Sequence, residues 1–264
     1  MVRIIDVLQL ADRHEATDIL EFVMQKDRNW ILINQNIELS QEEEEKVKEI
    51  LEKRNNNIPL QYILGKTYFM GLEFQVNENV LIPQPDTELL VEEVLNSVTG
   101  KEKILDLCTG SGCIAISLKK QLEDCEITAS DISEKALAVA QNNIELNNVK
   151  INLKKSNLFE NFVEKFDIIV SNPPYIATDV IATLSKEVQN EPILALDGGV
   201  DGLDFYRKII ELSRNYLNDN GKIFLEIGYD QAEQVKKLFE ENKYKNIEII
   251  KDYGGNDRVV KGEI

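Results

Sequence analysis

The chain holds a single histidine, His14, in 264 residues. It falls in a predicted helix well ahead of any other candidate chemistry. A serine or cysteine nucleophile would therefore lack its imidazole base, and a histidine-rich metal site is excluded. His14 reads as a surface or interhelix residue. Cysteine is also scarce: Cys108, Cys113 and Cys125 are odd in number and show no CxxC spacing. That argues against a disulfide framework and a zinc knuckle, and predicts a reducing compartment. Basic residues are in deficit, with 30 Lys and Arg against 47 Asp and Glu, a net charge of −17. Tight nonspecific binding to duplex nucleic acid needs phosphate neutralisation, so a small-molecule or protein substrate fits better. No apolar run approaches the roughly 18 residues of a membrane-spanning helix. The N-terminus has no basic start, apolar core and cleavage site of the kind a signal peptide needs. The chain is expected to be cytoplasmic, with no membrane partner.

Apolar residues make up 43% of the chain, enough for a sizeable core. Residues 1–64 read as a helical N-terminal domain. Ile4, Ile5, Leu8 and Leu10 begin a first helix, and Ile19, Leu20, Phe22 and Val23 form a second apolar face. Ser40 with Glu43 is a capping box opening Gln41 to Arg54, and the asparagines at 55–57 end it. Residues 65–84 turn to β-type residues broken at Gly71 and at 77–79, a predicted hairpin linking two domains. Residues 85–264 then alternate. Strands are predicted over 103–107, 126–130, 150–154, 166–171, 222–227 and 247–250, with a short last strand at Val259–Val260. Helices are predicted over 87–98, 114–122, 134–146, 204–217 and 231–241. Such alternation implies a mostly parallel sheet with helices on both faces, a Rossmann-like α/β architecture. The weakly patterned stretch 176–200 is long for a connection and reads as a substrate loop or lid.

Asp106-Leu107-Cys108-Thr109-Gly110-Ser111-Gly112-Cys113 joins the first of these strands to a helix. Glycines let backbone approach a ligand, and a helix N-terminus attracts an anion, either a pyrophosphate or an amino-acid carboxylate. Asp131 ends the next strand, nineteen residues past Gly112, where a carboxylate can accept both hydroxyls of a ribose. Gly110-x-Gly112-x-x-Ala115 also fits a dinucleotide fingerprint, so a nicotinamide oxidoreductase competes at this step, as does a purely structural turn. Asp106 is read as a brace for the loop.

Asn172-Pro173-Pro174-Tyr175 follows the buried strand Phe166–Ser171. Two prolines fix φ and remove two donors, and Asn172 before a proline is pushed to extended geometry. The turn leaves an amide, free carbonyls and an aromatic wall, a cleft suited to a planar group bearing NH2. A packed proline turn is the bland reading, but an open α/β sheet puts its ligand crevice in this place. A hydride-transfer site has no use for such a cleft. A methyl-transfer site has: S-adenosylmethionine brings a ribose for Asp131 and a carboxylate for the loop amides.

With Ser130-Asp131-Ile132-Ser133, these motifs resemble those of S-adenosylmethionine-dependent methyltransferases. Pro59-Leu60-Gln61-Tyr62-Ile63-Leu64-Gly65, Leu81-Ile82-Pro83-Gln84-Pro85-Asp86-Thr87-Glu88, Glu191-Pro192 and Gly198-Gly199-x-Asp201-Gly202-Leu203 are similar to the HemK/PrmC family. That family methylates the glutamine amide in the Gly-Gly-Gln loop of peptide chain release factors. The resemblance covers most of the chain and is weakest over the first 55 residues. It implies that Cys108, Thr109, Gly110, Ser111 and Gly112 surround the methionine part of the cofactor, Asp131 holds the ribose and Leu158 touches the adenine, with Asp106 and Asn172 completing the cofactor-binding set. It implies that Asn172 and the Pro173 carbonyl accept the substrate amide's hydrogens, with Pro174 and Tyr175 completing the catalytic and substrate-binding turn. The product would be S-adenosylhomocysteine, and the helical domain would help grip the release factor. Three positions depart from the family: Cys108 for glycine, Gln84 for arginine and Leu158 for an aromatic. No strong base is visible, so catalysis is expected by placement and desolvation. The protein is expected to act as a monomer without direct nucleic-acid binding. Two other classes compete: a nucleic-acid amino-methyltransferase, which must extract its base, and a catalytically silent binding protein.

Overall fold

The computed structural model describes residues 2–264, which cluster into two compact units. The smaller runs to Gly65 and takes in Lys186–Asn190; the larger comprises Lys66–Ser185 and Glu191–Ile264. The hairpin expected as a linker groups with the larger unit.

The smaller unit contains helices α1 (Ile4–Val7), α2 (Arg13–Met24), α3 (Arg28–Ile33), α4 (Gln41–Asn55) and α5 (Leu60–Leu64). Ile4, Val7, Ile19, Leu20, Ile31, Val47 and Ile50 form its core. Leu10 and Phe22, expected on apolar faces, are instead exposed. Leu10 lies past the end of α1, and Phe22 sits on α2 between the inward-facing Ile19 and Val23. The capping box forms as expected. Ser40 Oγ accepts from the Glu43 N–H at 3.3 Å, and the Glu43 carboxylate accepts from the Ser40 N–H at 2.7 Å. Helices α3 and α5, each of five or six residues, escaped the sequence reading because one turn shows no periodicity. His14 is exposed at the start of α2. The Lys186–Asn190 segment is held here by Arg54, which pairs with Glu187 at 3.1 Å, and by Asn190 Nδ2, which donates to the Asn57 carbonyl at 2.9 Å.

The larger unit opens with the hairpin β1 (Lys66–Phe69) and β2 (Leu72–Gln75), followed by helix α6 (Asp86–Ser97). Strands β3 (Lys103–Leu107), β4 (Glu126–Asp131), β5 (Asn152–Lys155) and β6 (Phe166–Ser171) follow, with α7 (Cys113–Gln121) and α8 (Glu134–Leu146) between the first three. The long connection holds two single-turn helices, α9 (Thr178–Ile181) and α10 (Ile193–Leu196). Then come α11 (Asp204–Tyr216), β7 (Leu217–Glu226), α12 (Ala232–Glu241), β8 (Lys245–Lys251) and β9 (Asp257–Glu263).

Seven strands form one sheet in the order β5-β4-β3-β6-β7-β9-β8. All run parallel except β9, which lies antiparallel between β7 and β8. Ile104, Leu105 and Leu107 of β3 and Ile168, Ile169 and Val170 of β6 are buried, as expected of strands covered on both faces. The last strand is longer than predicted: Val259 and Val260 are its only fully buried pair, and the charged residues around them hide it from pattern reading. Strand β7 also starts five residues early, with a register shift against β6 where the Asn218–Gly221 stretch is absorbed.

Candidate active site

The chain leaves β3 toward β4 on one side and later returns as β6 on the other, so connections diverge at the C-terminal ends of β3 and β6. This topological switch point is where open α/β sheets form their ligand crevice. The strand ends are locked together: Leu107 pairs with Ser171, and Ser171 Oγ donates to the Leu107 carbonyl at 2.7 Å. Cys108 and Asn172, the next residues on each strand, therefore stand side by side. Both line one cleft, with Thr109, Gly110, Ser111, Asp131, Leu158 and Pro174. Val80, Pro83, Gln84 and Thr87 form another wall, and Pro192 and Leu194 another.

The loop after β3 is turned by left-handed residues, with φ +59° at Cys108, +54° at Gly110 and +82° at Gly112. A Cβ built on Gly110 would meet nothing within 4 Å, so its bare backbone faces open space rather than avoiding a clash. Gly112 is the N-cap of α7 and does not line the cleft. Asp106 is fully buried beneath the loop, where its Oδ2 accepts the Thr109 hydroxyl at 2.6 Å. Burial pushes its carboxyl up to about 7, against the pull of the Thr109 hydroxyl and the Ala115 N–H.

Asp131 tips the neighbouring strand. Its Oδ2 accepts from the Gly110 N–H at 3.0 Å and its Oδ1 from the Ser133 N–H at 2.9 Å. Burial raises its pKa, opposed chiefly by those N–H groups. The cleft thus offers bare loop backbone, a carboxylate acceptor and the apolar Leu158 and Ile132, a donor set that fits a ribose and a planar base. Leu158 holds φ +48°, a conformation rare for a bulky residue and worth following at a ligand site.

Asn172 is half-buried and its Nδ2 donates to Thr87 Oγ1 at 3.2 Å. Pro173 and Tyr175 of the same turn do not line the cleft. Tyr175 packs against the core, its carbonyl accepts from Gln231 Nε2 at 2.9 Å, and its hydroxyl faces Glu226. Burial pushes the Tyr175 phenol well above its ordinary range, reinforced by the Glu226 charge. The cysteine thiols are equally quiet: burial raises Cys108 well above the usual thiol range and Cys113 to about 12.

Several residues that organise the site were given no structural role by the sequence. Asn143 of α8 is fully buried; its side chain exchanges hydrogen bonds with the Gln75 backbone at 2.6 and 3.0 Å and donates to the Ser111 carbonyl at 2.9 Å. It ties the hairpin to the glycine loop. Glu191 accepts from the Ile82 N–H at 3.0 Å, which gives the Glu191-Pro192 motif a structural task. Thr87 and Glu226 stand behind Asn172. An acid closing the apolar run Ile223–Leu225 was a readable oddity, though its partners were not.

Residues 6–65 match the PrmC N-terminal domain and residues 84–191 the Methyltransferase small domain. A release factor glutamine methyltransferase of Clostridium botulinum is 44% identical over 255 residues, covering 94% of this chain and 90% of the relative. Its counterpart in Thermodesulfovibrio yellowstonii is 44% identical, covering 93% and 90%, and that of Geobacter sulfurreducens 41%, covering 96% and 89%. The chain belongs to the release factor glutamine methyltransferase family. Solved structures agree on the fold. A methyltransferase from Pyrococcus furiosus matches with TM-score 0.58 at 22% identity, covering 80% of this chain and 98% of that one. A T. thermophilus 16S rRNA methyltransferase in complex with AdoMet and guanosine matches with TM-score 0.55 at 20% identity, covering 75% and 49%. The architecture is that of S-adenosylmethionine-dependent methyltransferases.

Within this family the three departures acquire places. Cys108 stands at a left-handed position, the conformation that glycine adopts most easily. Gln84 is exposed at the cleft and its Nε2 donates to the Ile82 carbonyl at 3.0 Å. Leu158 lines the cleft as an aliphatic wall.

Proposed function

We propose that the protein transfers a methyl group from S-adenosylmethionine to the side-chain amide nitrogen of glutamine in the Gly-Gly-Gln loop of peptide chain release factors. The observation that carries this is the adjacency of Asn172 with Cys108–Ser111 and Asp131 in one cleft, together with membership of the family. When bound, S-adenosylmethionine supplies an electrophilic methyl group on a sulfonium. The loop from Cys108 to Ser111 would face its methionine part, Asp131 its ribose and Leu158 its base. Asn172 would accept a hydrogen of the substrate amide and turn the nitrogen's face toward the cofactor side. An amide nitrogen is a weak nucleophile, so the chain contributes placement, worth roughly 7–11 kcal/mol in well-oriented reactions. Acceptors that bind the amide hydrogens more tightly as positive charge develops add to it. Tyr175 would hold the turn rigid from behind. The helical unit would contribute to gripping the release factor, with the enzyme acting as a monomer. No described helix is long and apolar enough to cross a membrane.

Mass spectrometry of a release factor incubated with enzyme and methyl donor tests the reading. A one-methyl gain on the Gly-Gly-Gln glutamine, absent from a Gln→Ala substrate, is expected. Transfer of labelled methyl to tRNA, rRNA or DNA instead would overturn it, as would calorimetric binding of a nicotinamide cofactor in place of S-adenosylmethionine.

A further inference from the structure

Glu226 is a buried acid that the reaction scheme leaves without a task. It ends β7 one residue beyond Leu225, the partner of Ser171, and so lies beside Asn172 in the sheet. The residue is 2% exposed, and its Oε2 is buried with no hydrogen-bond partner. An under-satisfied buried acceptor draws every nearby donor toward it. The donors that face this carboxyl are the Thr87 hydroxyl, the Asn172 amide and the Tyr175 hydroxyl. Thr87 is itself buried and accepts from Asn172 Nδ2 at 3.2 Å.

Those contacts have a polarity. Thr87 Oγ1 accepts from Asn172 Nδ2, which leaves its single proton to point toward Glu226, a carboxylate that can only accept. The Asn172 Nδ2 group is thereby held on the side of Thr87 and Glu226. Its remaining group, the Oδ1 acceptor, is the one left for the cleft. With the amide turned over, Asn172 would present donors to a substrate NH2 that is also a donor.

We propose that Glu226 is a positioning residue for methyl transfer: through Thr87 it fixes the Asn172 side chain with its oxygen toward the substrate amide, and through the Tyr175 hydroxyl it braces the same turn. This rests on the assignment of Asn172 as the substrate-amide acceptor. The inner acid needs to be ionised for the polarity to hold, since a protonated carboxyl can donate. Burial places Glu226 at about 7, with Thr87 and Arg258 pulling it down and Asp86 pushing it up. The groups facing it are Asp86 of α6, salt-bridged to Arg258 of β9 at 2.9 Å, Tyr175 after β6, Tyr206 of α11 and Cys113 of α7. Burial holds both phenols and the thiol above their ordinary values, and Arg258 is raised, so Glu226 is the member of this group that titrates near neutrality.

The test is steady-state kinetics of full-length Glu226→Gln, Thr87→Val and Thr87→Ser at saturating cofactor, which keeps the Asp106 loop loaded. Glu226→Gln and Thr87→Val are expected to lower kcat at least about tenfold, with release-factor KM and cofactor Kd within about threefold, while Thr87→Ser retains activity. Wild-type kcat should rise with pH through about 7, and this limb should be absent in Glu226→Gln. A kcat within about twofold of wild type, or a loss that follows cofactor affinity or melting temperature, overturns the proposal. If Glu226→Gln is insoluble, the contrast between Thr87→Val and Thr87→Ser decides it. Asn172→Ala is run alongside. Retained turnover there sinks the Asn172 assignment itself, whereas an inactive Asn172→Ala beside an active Glu226→Gln sinks only the Glu226 role.

Discussion

Cys108 shows how a single side chain can be out of pattern while its backbone stays in pattern. Its φ of +59° is the left-handed conformation in which a non-glycine residue costs about 1 kcal/mol. The loop keeps the glycine path despite the thiol. Cys108→Gly is therefore expected to change stability by less than about 1 kcal/mol, because relieved strain and added unfolded-state freedom offset one another. Cofactor affinity should be retained; a clear loss by calorimetry would show that the thiol itself touches the ligand. Asp131 makes the complementary case. It keeps N–H partners from Gly110 and Ser133 without any ligand. Asp131→Ala should weaken S-adenosylmethionine by about 1–3 kcal/mol, the range for charge-assisted hydrogen bonds. An unchanged Kd would remove it from the ribose. Both residues were legible in the sequence because a strand end followed by a short polar segment has few geometries. Thr87 and Glu226 were not, because their relevance arises only where α6 and β7 meet β6.

Among the elements, helix α4 and the 196–204 segment differ in what local chemistry could reveal. Helix α4 announces itself through Ser40 and Glu43, and its cap is formed as expected. Ser40→Ala should cost about 1 kcal/mol in urea unfolding without altering the chemical step. The glycine-rich segment was recognisable as a motif but had no evident task. Gly198 and Gly202 lie directly against the backbone of Tyr175. A Cβ on Gly202 would stand 2.4 Å from the Tyr175 carbonyl oxygen and 2.7 Å from Gln231 Nε2, at a φ of +73°. The segment is thus the backing of the Asn-Pro-Pro-Tyr turn, held by the Gln231 hydrogen bond. Gly202→Ala should displace that turn, reducing turnover at least about tenfold and stability by about 1–3 kcal/mol. Wild-type turnover in this variant would show that the turn tolerates movement. Strand β9 is the element that pattern reading shortened most. Its seven residues carry charges at the ends and on the alternate face, and its central place comes from pairing with both β7 and β8.

For the whole molecule, two fully buried carboxyls set an unusual pH dependence. Asp106 and Glu226 are each raised by burial to about 7, far above their unfolded values. Between those values the folded protein binds more protons than the unfolded chain. Their contribution is full below about pH 4.5 and is lost as pH rises through about 7. Carboxylates held low by partners, such as Glu73 beside Lys66, act in the opposite sense and lose their contribution below their unfolded value. Stability should peak at about pH 4.5–5 and be lower at about pH 8.5 by a few kcal/mol, measured by urea unfolding. The net charge of −17 adds self-repulsion in the same direction. Asp106→Asn together with Glu226→Gln should flatten the slope; an unchanged slope would assign it elsewhere. Residue order alone established the alternating α/β plan, the glycine loop after β3 and the rigid Asn-Pro-Pro-Tyr turn, since each depends on contiguous residues and short-range sterics. Folding in three dimensions set the order of the strands, inserted β9 into the sheet, and brought Thr87, Glu226 and Asn143 to the site. Those residues come from distant stretches of chain, and their meaning lies in buried hydrogen bonds that exist only once the sheet has closed around them.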